Sequence, residues 1–211
     1  MAVIINGSNT PTAGGIIYGD GSEYDVTAAG TAGQVLQSNG AGAPTWATAS
    51  SGLTLGTPVA ALSGASVTFT GIPAGTKQII FSFSQVSSTG TSVKLLRLGT
   101  SSGIETTGYT AGSTSIIDTT VNSISTPTSG ILINSILAAE GFSGSIILTL
   151  MDSSINLWAA TGVLGETSNF RGTILVGGRK ALSGTCDRIS LTTSGGTDTF
   201  DSFGSVNIAY A

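Results

Sequence analysis

The sequence predicts an all-β protein, an antiparallel β-sandwich (jelly-roll-like) preceded by an extended, glycine-rich N-terminal attachment segment. Two observations support this fold class. Apolar residues alternate with polar ones over short runs throughout residues 53–211, and Gly, Ser, Thr and Asn separate one run from the next. Period-two alternation with regular turn signals is typical of antiparallel strands, and about ten strands in about 150 residues suit two packed sheets.

Each strand is predicted from the face that its apolar residues share. In the run Gln78–Ser84, Ile79, Phe81 and Phe83 fall on one face because strand side chains alternate. Leu132–Glu140 is the one segment with some helical character, and we favour a strand there. We expect strands at Ser66–Thr70, Gln78–Ser84, Val93–Leu98, Ser115–Val121, Gly130–Leu137, Ile146–Leu150, Ile155–Val163, Gly172–Gly177, Ile189–Leu191 and Val206–Tyr210.

Residues 1–52 form a separate predicted domain, because their composition supplies little for a core. They contain ten glycines, three acidic residues and no basic residue. A segment of about 50 residues rarely folds alone without a disulfide, a metal or oligomerisation. The single cysteine, Cys186, lies outside the segment. We therefore expect residues 1–52 to lie against sister subunits or another protein.

The most specific motif of the chain is GTAGQVLQSNGAGAPTW, at residues 30–46. Its Asn-Gly dipeptide favours a tight turn, because glycine adopts positive φ without strain. Its proline restricts the preceding residue to extended backbone, and its tryptophan is a large apolar anchor with one N–H to satisfy. We expect a compact turn that holds one aromatic side chain. The predicted assembly and linker residues are Val35, Leu36, Asn39, Gly40, Pro44 and Trp46.

This motif resembles a linker of bacteriophage fibre and virion-surface proteins, where it joins an N-terminal attachment segment to a distal β domain. Three later stretches, FTGIPAGTKQIIFSF, LGTSSGIETTGYT and SGGTDTFDSFGSVNIAY, resemble the β-sandwich domain of phage tail and virion proteins. The resemblance implies a non-enzymatic homotrimer on the virion surface, assembled in the host cytoplasm. Its implied partners are major capsid or tail proteins and, in some family members, a host surface receptor.

Two placements on the virion compete. In the first, the protein is a surface decoration, or cement, protein of the capsid. In the second, it is a short tail fibre or receptor-binding protein that contacts a host surface glycan or protein. The modest length and sparse charge favour decoration. A polysaccharide-cleaving tailspike is a third hypothesis, from a different functional class.

Composition disfavours several other functions. The chain has no histidine, which removes Ser-His-Asp and Cys-His catalysis and imidazole-based zinc sites. Its seven basic residues are scattered, so we expect no nucleic-acid partner. No apolar run approaches the roughly 18 residues of a membrane span, so we expect no membrane insertion. We also expect no secretory signal, no enzymatic activity and no cofactor.

A few residues are weak candidates for ligand contact. Asp198 and Asp201, three residues apart in a predicted turn, could bind Ca²⁺, but two carboxylates fall short of its usual six to eight oxygen ligands. Capping of local N–H groups is the alternative. Tyr109 follows Gly108 in a polar stretch, so it is the aromatic residue that we expect to be exposed to a ligand.

Two further features of the sequence have ordinary structural interpretations. Gly177-Gly178 and Gly195-Gly196 are predicted to be turns or bulges. Arg97, Arg171 and Arg188 lie within or beside apolar runs. They form ion pairs between subunits or lie on exposed strand faces, and the sequence does not choose between these alternatives.

Overall fold

The computed structural model describes residues 12–49, 52–60, 62–124, 128–135, 138–166 and 172–211. The chain divides into two compact units, Met1–Gly52 and Leu53–Ala211, which are the bounds expected from composition. Regular structure in the described residues is entirely β. The apolar run at residues 2–7 and the side chain of Arg171 lie outside the described residues.

The first unit contains two antiparallel hairpins in its described part, residues 12–49. In the first hairpin, the Asp20 carboxylate accepts hydrogen bonds from the backbone N–H groups of Ser22 and Glu23, at 2.8 and 2.7 Å, and so closes the turn. Such Asp-mediated turns are a common way to join two short strands. The four strands are β1 (Ile17–Gly19), β2 (Tyr24–Val26), β3 (Gln34–Asn39) and β4 (Gly42–Thr48), with β1 paired to β2 and β3 to β4.

The second unit is an antiparallel β-sandwich, which confirms the predicted fold class. Its strands are β5 (Thr54–Leu55), β6 (Val59–Ala60), β7 (Ser66–Thr70), β8 (Gln78–Val86), β9 (Lys94–Thr100), β10 (Gly103–Ile104), β11 (Tyr109–Ile117), β12 (Thr120–Ile124), β13 (Ile131–Ile133), β14 (Phe142–Asp152), β15 (Leu157–Glu166), β16 (Gly172–Ala181), β17 (Arg188–Thr193) and β18 (Ser205–Tyr210).

The strands form a large sheet and a smaller one. The large sheet has the order β12-β11-β16-β15-β14-β8-β18-β5, with β6 also paired to β18. The smaller sheet has the order β10-β9-β17-β7, with β13 also paired to β9. In the large sheet, β14 and β15 are joined by a tight turn, whereas β11 and β16 are distant in sequence. The final strand, β18, lies beside β8 in the large sheet.

A single apolar core fills the space between the two sheets. The large sheet contributes alternate residues such as Phe81, Ile146 and Leu164, and the smaller sheet contributes residues such as Leu96 and Ile189. All of these side chains are fully buried. The predicted alternation of Ile79, Phe81 and Phe83 is confirmed, since all three are buried and face this core.

Two details of the predicted strand pattern are wrong. The expected strand Ser115–Val121 is two strands, because the chain reverses at Asp118, whose φ is 51°. Aspartate tolerates this left-handed conformation better than most residues. The expected strand Gly130–Leu137 is shorter, since β13 covers Ile131–Ile133 and residues 136–137 lie outside the described residues.

The interpretation of Gly177-Gly178 as a turn or bulge is also wrong, because both residues lie within β16 in regular register with β11 and β15. Gly178 faces the core. A Cβ atom there would lie 2.8 Å from Ile131 Cδ1 and 2.9 Å from Ala111 Cβ. Glycine is required at this position because the smaller sheet approaches the backbone closely.

The two neighbouring glycines provide a direct test of this packing. We expect Gly178→Ala to lower the free energy of unfolding by about 1–3 kcal/mol, since the added methyl group overpacks the core. Gly177→Ala is the matched control, because nothing lies within 4 Å of its added Cβ. Urea unfolding followed by circular dichroism measures both. Equal effects for the two variants would contradict the close approach at Gly178.

Candidate functional site

The first unit exposes most of its apolar side chains. Among residues 12–49, the one buried residue is Thr27, and no apolar side chain is buried. The larger apolar side chains on its surface are 40–53% exposed: Ile16, Ile17, Tyr24, Val35 and Leu36. We call these five residues, which lie on both hairpins and on more than one face, the hairpin surface. A unit without a buried apolar residue gains little stability from the hydrophobic effect by itself.

The predicted linker motif is a β-hairpin. Asn39 pairs with Gly42 across the ladder, so the loop is Gly40-Ala41. Gly40 has φ of 71°, and a glycine with positive φ at the first loop position is the pattern of a type II′ turn. The Asn39 amide donates hydrogen bonds to the Ala43 carbonyl and the Thr45 hydroxyl, at 2.8 and 3.3 Å. The predicted turn is therefore present, with Asn39 as the last strand residue.

Trp46 joins this hairpin to the preceding segment. Its Nε1 donates a hydrogen bond of 2.8 Å to the Ala28 carbonyl. Its indole ring lies directly against Gly30, where a Cβ atom would come within 2.6 Å of Cδ2. Trp46 is half-buried, and Leu36 is its cross-strand partner. The glycine thus provides the space that the tryptophan needs.

The structure places all six predicted linker residues in this one hairpin. Val35 and Leu36 are adjacent in β3 and so point to opposite faces of the hairpin. Both are exposed, at 49% and 43%. Pro44 lies in β4, where its neighbour Ala43 has the extended backbone that proline requires. The hairpin therefore exposes apolar side chains on both of its faces.

The expectation that Tyr109 is exposed is wrong. Tyr109 begins β11 and faces the core, and it is 2% exposed. Its hydroxyl accepts a hydrogen bond from Leu98 N–H at 2.8 Å and lies 3.0 Å from the Glu105 carbonyl. Burial is the main reason that the pKa of Tyr109 is raised well above its usual value. The polar loop ends at Gly108, so Tyr109 is already the first residue of β11 and not a loop residue.

The two candidate calcium ligands, Asp198 and Asp201, accept hydrogen bonds from two different residues. Asp198 accepts a hydrogen bond of 2.7 Å from the Ser92 backbone N–H, and its hydrogen bonds to Ser92 lower its pKa. Asp201 accepts one of 2.7 Å from the Ser87 hydroxyl. Among the described residues, no group of three or more His, Cys, Asp or Glu side chains is arranged to hold a metal ion. Neither aspartate caps a local N–H group as the alternative expected, because both bind groups that are more than 100 residues away in the sequence.

The arginines that can be placed interact within the chain. Arg188 forms an ion pair of 2.7 Å with its neighbour Asp187 and also donates to the Ser101 carbonyl. Arg97 donates a hydrogen bond of 2.7 Å to the Ser129 carbonyl. Arg188 therefore has a carboxylate partner in its own chain, and Arg97 a backbone partner.

A second ion pair lies beside Tyr109. Lys180 Nζ is 2.5 Å from the Glu105 carboxylate and 5.4 Å from the centre of the Tyr109 ring. Burial acts to raise the pKa of Glu105, but hydrogen bonds from Lys180 and Ser183 outweigh it and lower the pKa. The pair is tied into the fold on both sides, which is typical of a structural ion pair.

Sequence reasoning missed a buried polar cluster around Lys94. Lys94 is completely buried, and its Nζ donates a hydrogen bond of 2.7 Å to the Ser135 carbonyl. Burial lowers its pKa to about 8, against the opposing influence of the Asp198, Asp201 and Glu166 carboxylates. Glu166 is itself buried, and its pKa is raised by burial and by the charge of Glu140. A lone lysine in the apolar run VKLLRL was the available signal.

Comparison of the chain with protein families, with curated proteins and with solved structures finds no match. Among the described residues there is no helix with the length and apolar character needed to span a membrane.

The contact between Trp46 and Gly30 can be tested by fluorescence. We expect Gly30→Ala to displace the indole, which would shift its emission to longer wavelength and increase its quenching by acrylamide. Gly42→Ala is the matched control, since its added Cβ would make ordinary contacts of 3.6 Å or more. Trp158 is 2% exposed and should contribute a constant background. Unchanged quenching in Gly30→Ala would contradict the contact.

Lys94 predicts a specific dependence of stability on pH. Its folded pKa of about 8 lies below the ordinary value of 10.5, so between these values the unfolded chain binds more protons than the folded one. The free energy of unfolding therefore rises with pH in this window, by about 2 kcal/mol or more. Below pH 8 the cost of burying the charge is fully present.

Lys94→Met isolates this effect, because it removes the titrating group. Urea unfolding of both proteins at pH 7, 8.5 and 10 should show the wild type gaining stability relative to the variant as the pH rises. A difference between the two proteins that stays constant over this range would contradict the lowered pKa. The part of the difference that does not change with pH reports the other consequences of the substitution, including the lost hydrogen bond to Ser135 and the change in packing.

Proposed function

We propose that the protein is a non-enzymatic structural protein of a bacteriophage virion, a homotrimeric surface decoration protein attached through its first unit. The observation that carries the proposal is the hairpin surface. The described part of the first unit forms well-defined hairpins with no buried apolar side chain. Such a unit needs an external surface to bury its apolar residues, and a virion provides one.

A disulfide bond does not stabilise this small unit. The single cysteine, Cys186, belongs to the second unit and is buried as a free thiol. Burial raises its pKa to about 12, so it is unreactive at neutral pH. Oligomerisation or attachment to a partner remains, and closed cyclic symmetry lets several copies of the unit cover one another. The resemblance of residues 30–46 to virion linkers favours three copies.

The absence of histidine from the sequence supports a structural role rather than a catalytic one. The two competing placements, capsid decoration and a short tail fibre, share the same attachment unit and differ in what the rest of the protein contacts. Sparse charge, 9% of residues, favours a position covered by neighbouring proteins. We therefore propose decoration ahead of receptor binding and of polysaccharide cleavage.

The attachment role can be tested with particles that lack the protein. We expect the purified full chain to co-sediment with such particles, and a chain without residues 1–46 to remain folded and unbound. In the full chain, Val35→Lys combined with Leu36→Lys should reduce binding at least about tenfold, since each substitution removes exposed apolar area. Ile155→Lys, at a residue that is 53% exposed in the second unit, is the control.

The same preparation separates the placements. Binding to tailless heads supports decoration, whereas binding to host cells that blocks infection supports a receptor-binding fibre. Release of reducing sugar from host polysaccharide would establish a tailspike instead. Retained particle binding after removal of residues 1–46 would contradict the attachment role.

A further inference from the structure

The outer face of the large sheet carries a continuous apolar band. Val163 on β15 lies directly opposite Leu175 on β16, and Ile116 on β11 lies directly opposite Val121 on β12. Leu175 is paired with Thr114, two residues from Ile116, so the two pairs are diagonal neighbours. Ile147 on β14 is paired with Thr161, two residues from Val163, and extends the band to a fifth strand. Such pairs are within contact distance on a sheet face.

All five side chains of this apolar band point away from the core and are exposed. Val121 and Val163 are 63% and 61% exposed, and Leu175 is 42% exposed. Ile116 and Ile147 are 37% and 36% exposed. Single exposed apolar residues are ordinary, but a contiguous set is characteristic of an interaction surface.

The face around the band carries no charge. Three neighbouring rows of outward positions cross the sheet, and none of their side chains ionises. They are Ser143, Gly165, Thr173, Ile116 and Val121, then Asn207, Ser82, Ser145, Val163, Leu175, Thr114 and Ser123, then Ala209, Ile80, Ile147, Thr161, Gly177 and Gly112. Arg179 in the next row on one side, and the exposed Asp118 in the turn between β11 and β12 on the other, are charged residues at the border of this face.

This neutrality favours a second copy of the chain as the occupant. A charged partner would lose hydration at such a face without gaining an ion pair. Two copies of a neutral face, in contrast, meet without repulsion even though the whole chain has a net charge of −4. Hydroxyl and amide groups around the band can hydrogen-bond to the same groups of another copy.

The size of the face indicates how strong the association should be. Seven strands spaced about 4.8 Å apart span about 29 Å, and three rows of outward side chains cover about 20 Å along the strands. The resulting area is about 600 Å² before the relief of the side chains is counted. A three-fold arrangement divides it between two neighbours, so each contact of about 300 Å² is smaller than the roughly 800 Å² per partner of a standard interface and is of the size of a weak, concentration-dependent contact.

We infer that this face, centred on Val163 and Leu175, is the surface through which copies of the chain associate. The inference rests on the proposed homotrimer and deepens it by naming the interface. In a three-fold arrangement, one part of the face contacts a different part of the same face in the next copy.

The test compares full-length variants by sedimentation velocity over a concentration series. Val163→Lys combined with Leu175→Lys places two charges in the apolar band, and we expect the dissociation constant to rise roughly tenfold or more. Ile155→Lys combined with Phe203→Lys adds the same charge at residues that are 53% and 70% exposed outside the face, and should leave association unchanged. Circular dichroism checks that each variant is folded.

The outcomes separate this inference from the proposed function. A wild-type oligomer that survives the paired lysines would overturn the inference and leave the homotrimer intact. A wild-type chain that is monomeric at every concentration would overturn both. Should the lysine variant fail to fold, Val163→Thr with Leu175→Thr decides, because it removes apolar area while keeping strand-compatible side chains. Unchanged association of that variant would also overturn the inference.

Discussion

The contact between the two sheets at Phe69 and Phe81 is the constraint on which the rest of the sandwich depends. The two rings meet edge to face, 5.7 Å between centroids and 82° between planes. Phe83 continues the contact to Phe142 at 5.4 Å. Because side chains alternate along a strand, placing Phe81 inside the core fixes which residues of the neighbouring strands point outward. The register that buries Phe81 opposite Ile146 therefore also exposes Ile147 and, through β15, Val163.

The sandwich is held together with little help from charge. Inside the fold, serine and threonine hydroxyls form hydrogen bonds that link strands, a role that ion pairs could also have. The Ser113 hydroxyl donates to the Leu175 carbonyl at 2.8 Å and accepts from the Asn134 N–H at 3.1 Å, so one buried side chain links β11 to β16 and to the end of β13. The high Ser and Thr content thus serves the interior as well as the surface, because a buried polar backbone group needs a partner.

The sequence predicted what depends on local pattern and missed what depends on pairing between distant segments. The alternation at Ile79–Phe83 and the turn at Asn39-Gly40 are local features, and both are present. The burial of Tyr109 was missed, because nothing local marks it as the first residue of a core-facing strand. Gly178 was predicted to lie in a turn, because the close approach of Ile131 from the other sheet, which explains this glycine, is not visible in the residues around it. The apolar band also could not be predicted from the sequence. It forms only when β11 pairs with β16, in the register that places Ser113 opposite Val176.

The two units therefore expose apolar residues for different physical reasons. In the second unit, a complete core already supplies stability. Folding therefore does not depend on the apolar band, and we expect the sandwich to stay folded when residues of the band are replaced. In the described part of the first unit no apolar residue is buried, and the hairpin surface contains the large apolar side chains that are exposed there. Covering the hairpin surface should thus strengthen the unit itself, because binding that favours the folded form adds to its stability. Covering the apolar band should hold copies together without changing the sandwich, since its inner face is already packed. Both properties support the proposed assembly role, in which the second unit would associate with its copies and the first unit would gain stability on attachment.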